Sequence, residues 1–214
     1  MLHTLAQGDA VCCAAHRADC PFPQEMRYEL PGLVIDNCAM AGRSSKTFRE
    51  EGRLDDIAAH IRPGDLLVVS FGHNDANRAK AERYVPADAF GESLRPFWDA
   101  ARSHGAVCIF ASPVAMREFD EDSVCHPSFA AYREAMRAFA AEVGAPFIDL
   151  GAATAAANTA FGAERCKARY MWVGAKQDNA HQQNAGACRT AQAFVQQLLQ
   201  DTTPALDVLR ANFK

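Results

Sequence analysis

Short apolar runs alternate with longer amphipathic segments along nearly the whole 214-residue chain, and this alternation constrains its fold more than any other feature. The strand candidates are His3 to Ala6, Leu33 to Asn37, Leu66 to Phe71, Val107 to Ala111 and Pro146 to Leu150, each ending near a polar or glycine-containing turn. Helical patterns fall between and after them, roughly over Lys46 to Ile61, Ala87 to His104, Phe129 to Val143 and Gly186 to Gln200. In the second of these, Phe90, Leu94, Phe97, Trp98 and Ala101 recur at the spacing of one helix face. Gly105 and Gly144 follow two of the helices and suit their C-caps. Strand–helix alternation of this kind predicts a parallel sheet covered by helices on both faces. Residues 152–180 are the least regular stretch and read as a helix followed by a loop near the site. No repeat, linker or break in composition divides the chain, so residues 1–214 are expected to form a single domain.

Composition narrows the function. With 49% hydrophobic and 22% charged residues the chain is globular rather than disordered. A net charge of −4 gives no electrostatic reason to bind nucleic acid or an anionic membrane. No apolar run approaches the roughly 18–20 residues that span a bilayer. The stretch Met1 to Ala10 lacks a basic segment followed by a long apolar one, so a cytoplasmic location is expected. The eight cysteines form no C-x-x-C pair and no zinc-type cluster with histidine, and are expected to be reduced and mostly structural.

Four polar clusters fall on strand-to-helix connections, which a parallel sheet gathers at one edge. They are Gly8-Asp9-Ala10, Ala41-Gly42-Arg43-Ser44-Ser45, Gly72-His73-Asn74-Asp75 and Asp178-Asn179-Ala180-His181. Asn74 would bring an amide donor suited to a developing oxyanion. Gly42 allows close backbone approach to a ligand, and Ser44 or Ser45 could cap the next helix. Asp178 can fold back onto His181, fix its tautomer and orient the ring as a base. The four clusters in this order point to acyl-transfer hydrolysis.

On these residues, together with Gly64-Asp65, Glu82-Arg83-Tyr84, Ile148-Asp149-Leu150 and Gly186-Ala187, the chain resembles an SGNH (GDSL-type) hydrolase, in the rhamnogalacturonan acetylesterase-like branch of carbohydrate esterases. The resemblance runs from about Gly8 to about Leu199. It implies a flavodoxin-like three-layer α/β/α sandwich with a five-stranded parallel sheet, no metal or organic cofactor, and an acetylated carbohydrate as substrate. It implies His181 as the base and Asp178 as the aspartate that orients it. The oxyanion hole would be the backbone N–H of residue 10, the Gly42 N–H and the Asn74 side chain. The family's nucleophilic serine falls on position 10, which is alanine here. Three explanations fit: an engineered serine-to-alanine change, a natural pseudo-hydrolase that binds an acylated glycan, or a substitute nucleophile among Cys12, Cys13 and Ser44. A lipid or thioester hydrolase is a further reading, although no apolar lid segment supports it.

Other residues have a functional and a structural reading. Asp9 and His73 would support the site by hydrogen bonding. Arg43 could hold a substrate carboxylate or form a surface ion pair. Tyr170 and Trp172 could provide a sugar-stacking platform or pack within the protein.

Overall fold

The computed structural model describes residues 2–6 and 35–211. Parallel strands β1 (Leu2–Ala6), β2 (Ile35–Asn37), β3 (Leu66–Ser70), β4 (Val107–Ala111) and β5 (Phe147–Ile148) form one sheet in the order β2-β1-β3-β4-β5. Leu2 is in register with both Ile35 and Leu66, Leu66 with Val107, and Phe110 with Phe147. The sheet order reverses between β1 and its neighbours, and such a switch point opens a crevice at the C-terminal ends of the strands.

Strand β3 shows why both faces are covered. Its side chains alternate, so Leu66 and Val68 point to one core and Leu67 and Val69 to the other. The first core is closed by α5 (Leu150–Phe161) and α7 (Asn184–Gln200), through Leu150, Ala187, Ala191 and Phe194. The second is closed by α1 (Ser45–Glu50), α2 (Arg53–Ala58), α3 (Ala87–Ser103) and α4 (Ala130–Val143). The expected stripe on α3 is buried at Phe90, Leu94, Phe97 and Ala101. Phe97 meets Phe71 and Phe48 at ring-centroid distances of 5.1 and 6.1 Å. Burying each such ring contributes about 1.5–3 kcal/mol.

The boundaries differ from expectation in informative places. The helix expected over Lys46 to Ile61 is two helices, because Gly52 adopts φ +74°, a left-handed conformation that breaks the ladder. The strand expected to reach Leu150 stops at Ile148, because Asp149 turns to cap α5 by accepting from the Ala152 N–H. The irregular stretch contains α5, the short α6 (Ala163–Cys166), a 3₁₀ turn (Lys167–Arg169) and an antiparallel ribbon of β6 (Tyr170–Val173) and β7 (Lys176–Gln182). After α7 come a 3₁₀ turn (Pro204–Leu206) and α8 (Asp207–Ala211). Cys38, Cys108, Cys125 and Cys166 are free thiols. Among the described residues, no helix is long and apolar enough to cross a membrane.

Asp149 ties the β5–α5 corner to α4. It accepts from Arg133 Nε at 2.8 Å, and the Arg137 guanidinium and Ser112 hydroxyl also donate to it. Burial alone would raise its carboxyl, but the Arg133 contact outweighs it, helped by the Ala152 N–H and Arg137, and the value falls to about 2. A carboxylate held below its unfolded pKa of about 3.9 stabilises the fold above that pH, and the contribution fades as pH falls toward 2. Asp149→Asn is therefore expected to cost on the order of 2 kcal/mol at pH 7 and much less near pH 2.5. Urea unfolding at the two pH values checks this; an equal cost at both would refute it.

Candidate active site

The C-terminal strand ends face one edge of the sheet, where four connections were expected to converge. β1 ends at Ala6, between β2 and β3. Asp9 and Ala10, further along the chain, lie outside the described residues, as do Cys12 and Cys13.

The connection after β2 runs through Gly42 into α1. Ser44 is buried and caps that helix: its Oγ accepts from Thr47 N at 3.2 Å, while Thr47 Oγ1 accepts from Ser44 N at 2.9 Å. Ser44 is thus a cap, which removes it as a substitute nucleophile. Ser45 donates to Asp75 Oδ1 from its N–H at 2.9 Å and from its hydroxyl at 2.6 Å. Gly72 N donates to Asp75 Oδ2 at 3.0 Å. Asp75 is fully buried, and burial pushes its carboxyl up to about 6 against the pull of these donors. This clamp locks the start of α1 to the loop after β3.

Asn74, next to the clamp, is brought against the Gly42 loop. Its Nδ2 donates to Arg43 O at 3.2 Å, and its Oδ1 accepts from Arg83 Nη1 at 2.8 Å. The same Nη1 donates to Gly42 O at 3.1 Å. An amide nitrogen carries two N–H groups, so one remains for a ligand. Gly42 and Asn74, separate in sequence, thus share a partner. His73 packs its ring edge-on against Phe129, with centroids 4.8 Å apart. Phe129 holds φ +55°, a left-handed conformation rare for an aromatic residue.

Asp178 to His181 lie within β7, whereas the sequence suggested a loop leading into the last helix. Tyr170 pairs with Gln182 and Trp172 with Gln177, so two steps on β6 face five on β7. The surplus residues bulge out. Asp178 holds the bulge by accepting from the N–H groups of Ala180 and His181 at 2.9 and 3.0 Å through Oδ1. Its Oδ2 lies 2.7 Å from His181 Nδ1 and 3.3 Å from Lys176 Nζ. At 2.7 Å the carboxylate can hold the imidazole in one orientation. Burial alone would raise the Asp178 carboxyl, yet the His181 N–H, the His181 ring and the Ala180 N–H hold it well below the usual carboxylate range.

The ribbon is anchored to the loop after β4. Arg117 N donates to Asn179 O at 2.7 Å, and the Tyr170 hydroxyl donates to Ala115 O at 2.7 Å. These bonds bring the histidine-bearing bulge to the strand-end edge.

Three residues with a functional and a structural reading have contacts that match the structural one. Tyr170 is 0% exposed, with its hydroxyl bonded to Ala115 and Asn158, and has no face for a sugar. Trp172 has Arg117 and Lys167 over its ring at 4.8 and 4.7 Å, and its Nε1 donates to Asn179 at 2.9 Å. It braces the bulge rather than offering a bare stacking platform. Arg43 is held by Glu51 through two contacts at 2.9 and 3.0 Å, so its guanidinium is an ion-pair partner and not an open carboxylate receptor. In the sequence Arg83 is only part of the Glu82-Arg83-Tyr84 motif; the link it makes, between Gly42 and Asn74, joins residues too far apart in sequence for spacing to reveal. Among the described residues, no group of three or more histidine, cysteine or acidic side chains could hold a metal ion.

The GDSL-like lipase/acylhydrolase family matches residues 5–186. Rhamnogalacturonan acetylesterase RhgT of Bacillus subtilis is 35% identical over 187 residues, covering 83% of this chain and 79% of the relative. A probable rhamnogalacturonan acetylesterase, YesY, of the same organism is 38% identical over 156 residues, covering 72% of this chain and 71% of the relative. The crystal structure of YxiM from Bacillus subtilis superposes with a TM-score of 0.82 at 25% identity; the match covers 96% of this chain and 57% of that one.

Proposed function

Because the chain belongs to the GDSL-like lipase/acylhydrolase family, we propose that it carries the site of a carbohydrate acetylesterase, with the nucleophile position held by Ala10. The observation that carries this reading is the Asp178–His181 pair, 2.7 Å apart on a bulge fixed by Asp178 itself. Such a pair orients a histidine as a base. With serine at position 10, His181 would take the hydroxyl proton as the oxygen attacks the acetyl carbonyl. Gly42 N–H, the N–H of residue 10 and the Asn74 amide would receive the oxyanion. His181 would then protonate the departing sugar oxygen, and water would release acetate by the same route. Asp9 and His73 would support the connecting loops. The acetylated carbohydrate, rhamnogalacturonan in particular, is inferred from the named relatives.

Ala10 supplies no attacking atom, so the chain as it stands would bind without turnover. Ala10→Ser is expected to release acetate from acetylated rhamnogalacturonan and from p-nitrophenyl acetate, measured beside the unmodified chain. A variant inert on these substrates and on acetylated xylan would overturn the esterase reading. The alanine itself favours a second reading, a natural pseudo-hydrolase that holds an acylated glycan. An alanine codon in the source gene, with measurable glycan affinity, supports it, and a serine codon ends it.

A further inference from the structure

We propose that Arg83 is the positioning residue of the oxyanion hole: a single guanidinium nitrogen fixes both the rotation of the Asn74 amide and the Gly42 loop. The inference rests on the esterase reading above for the role of the hole, but on separate contacts for the role of Arg83.

An asparagine amide can sit in either of two orientations of similar shape, and only its partners distinguish them. Here both partners demand the same one. Arg83 Nη1 can only donate, so the atom it meets at 2.8 Å must be Oδ1. Arg43 O can only accept, so the atom it meets at 3.2 Å must be Nδ2. A flipped amide would set N–H groups against the guanidinium and oxygen against a carbonyl. Arg83 therefore excludes the flipped state by charge as well as by geometry. Its other contact from the same nitrogen, to Gly42 O at 3.1 Å, ties the Gly42 loop to the same reference point.

The placement suits a fixed support. The Arg83 side chain is 24% exposed, and its nearest described carboxylate, Glu82 Oε1, is 3.8 Å from Nε. Nη1 is thereby left to the two site residues. A hydrogen bond from a cation to Oδ1 also draws electron density from the amide and strengthens its N–H donors. Arg83 would thus set both the aim and the strength of the Asn74 donor while acting through Asn74.

Two measurements test this. In the unmodified chain, Arg83→Met is expected to shift the Asn74 side-chain amide resonances in a proton–nitrogen NMR spectrum and speed their exchange, with Arg83→Lys intermediate. Unchanged resonances would overturn the proposal. In the Ala10→Ser background, Arg83→Met should lower kcat roughly ten- to a hundredfold, the scale of one charge-assisted hydrogen bond, while KM stays within about threefold. The same substitution added to Asn74→Ala should cost little more than Asn74→Ala alone. An equal loss in both backgrounds, or a rise in KM with kcat intact, would show that Arg83 does not act through Asn74. If Ala10→Ser is itself inert, the esterase reading falls, and the amide spectrum still decides whether Arg83 holds Asn74.

Discussion

In the Ala10→Ser background, His181→Ala is expected to lower kcat by roughly 10⁴-fold or more, with a much smaller effect on KM. Loss of a base from a nucleophile–base–carboxylate set removes activation of the nucleophile and leaves only binding and oxyanion stabilisation. The Asp178–His181 contact of 2.7 Å and the two backbone bonds to Asp178 Oδ1 explain the size of the effect. The carboxylate is committed to one orientation, and no second histidine shares the bulge. The His181 side chain is one-third exposed, so its truncation leaves no large core cavity and the variant should fold normally. Asp178→Asn is the companion variant. It would keep the side-chain shape but lose the charge that steadies the imidazolium, and it should also weaken the bulge. Steady-state hydrolysis of p-nitrophenyl acetate, with circular dichroism as the folding control, reads both. A His181→Ala enzyme that kept a tenth of its rate would exclude His181 as the base.

The largest expected effect on stability comes from Gly186→Ala. Gly186 lies in the first turn of α7, where propensity alone favours alanine by about 1 kcal/mol. The close approach of the ribbon reverses that sign. A Cβ at this position would lie 2.3 Å from Arg169 O and 2.9 Å from Gln182 Cβ. Arg169 O cannot retreat freely, because it accepts from Gln183 N at 2.9 Å and so fastens the start of α7 to the ribbon. Relieving the clash must shift α7 or β7, and overpacking of this kind costs about 1–3 kcal/mol. We expect a loss of roughly 3 kcal/mol, the upper end of that range, because one of the two opposing atoms is backbone. Urea unfolding measures it, and an unchanged or raised midpoint would refute it. Because His181 and Gln182 are adjacent on β7, the same shift should lower activity in the Ala10→Ser background.

Much of the architecture could be read from the chain, and the exceptions have physical causes. β3 was legible as a short continuous apolar run, and α3 and α4 because helical periodicity survives in their sequences, so burial follows pattern. β7 was not. Lys-Gln-Asp-Asn-Ala-His-Gln has no apolar alternation, and its pairing with β6 depends on anchors from residues 115 and 117 of the β4 loop. The break at Gly52 was also hidden, since an isolated glycine within a helical pattern is usually tolerated. Tyr170 and Trp172 were visible as aromatics near the site, but only packing shows that one is buried and the other is covered by cations.

The sequence by itself determined the alternating strands and helices, the edge at which polar connections gather, and the residue types suited to acyl-transfer chemistry, including the alanine at position 10. These follow from local periodicity and from the chemistry of individual side chains. The tertiary structure alone decided how those residues are held. Arg83 reaches across to Asn74 and Gly42, Asp75 clamps Ser45 to Gly72, and a bulge turns Asp178 onto His181. Two of these contacts, Arg83 to Gly42 and Asp75 to Ser45, join residues 41 and 30 positions apart. The bulge depends on a strand register fixed by neighbouring loops. Short-range pattern cannot encode either, because both depend on which surfaces meet once the core has formed.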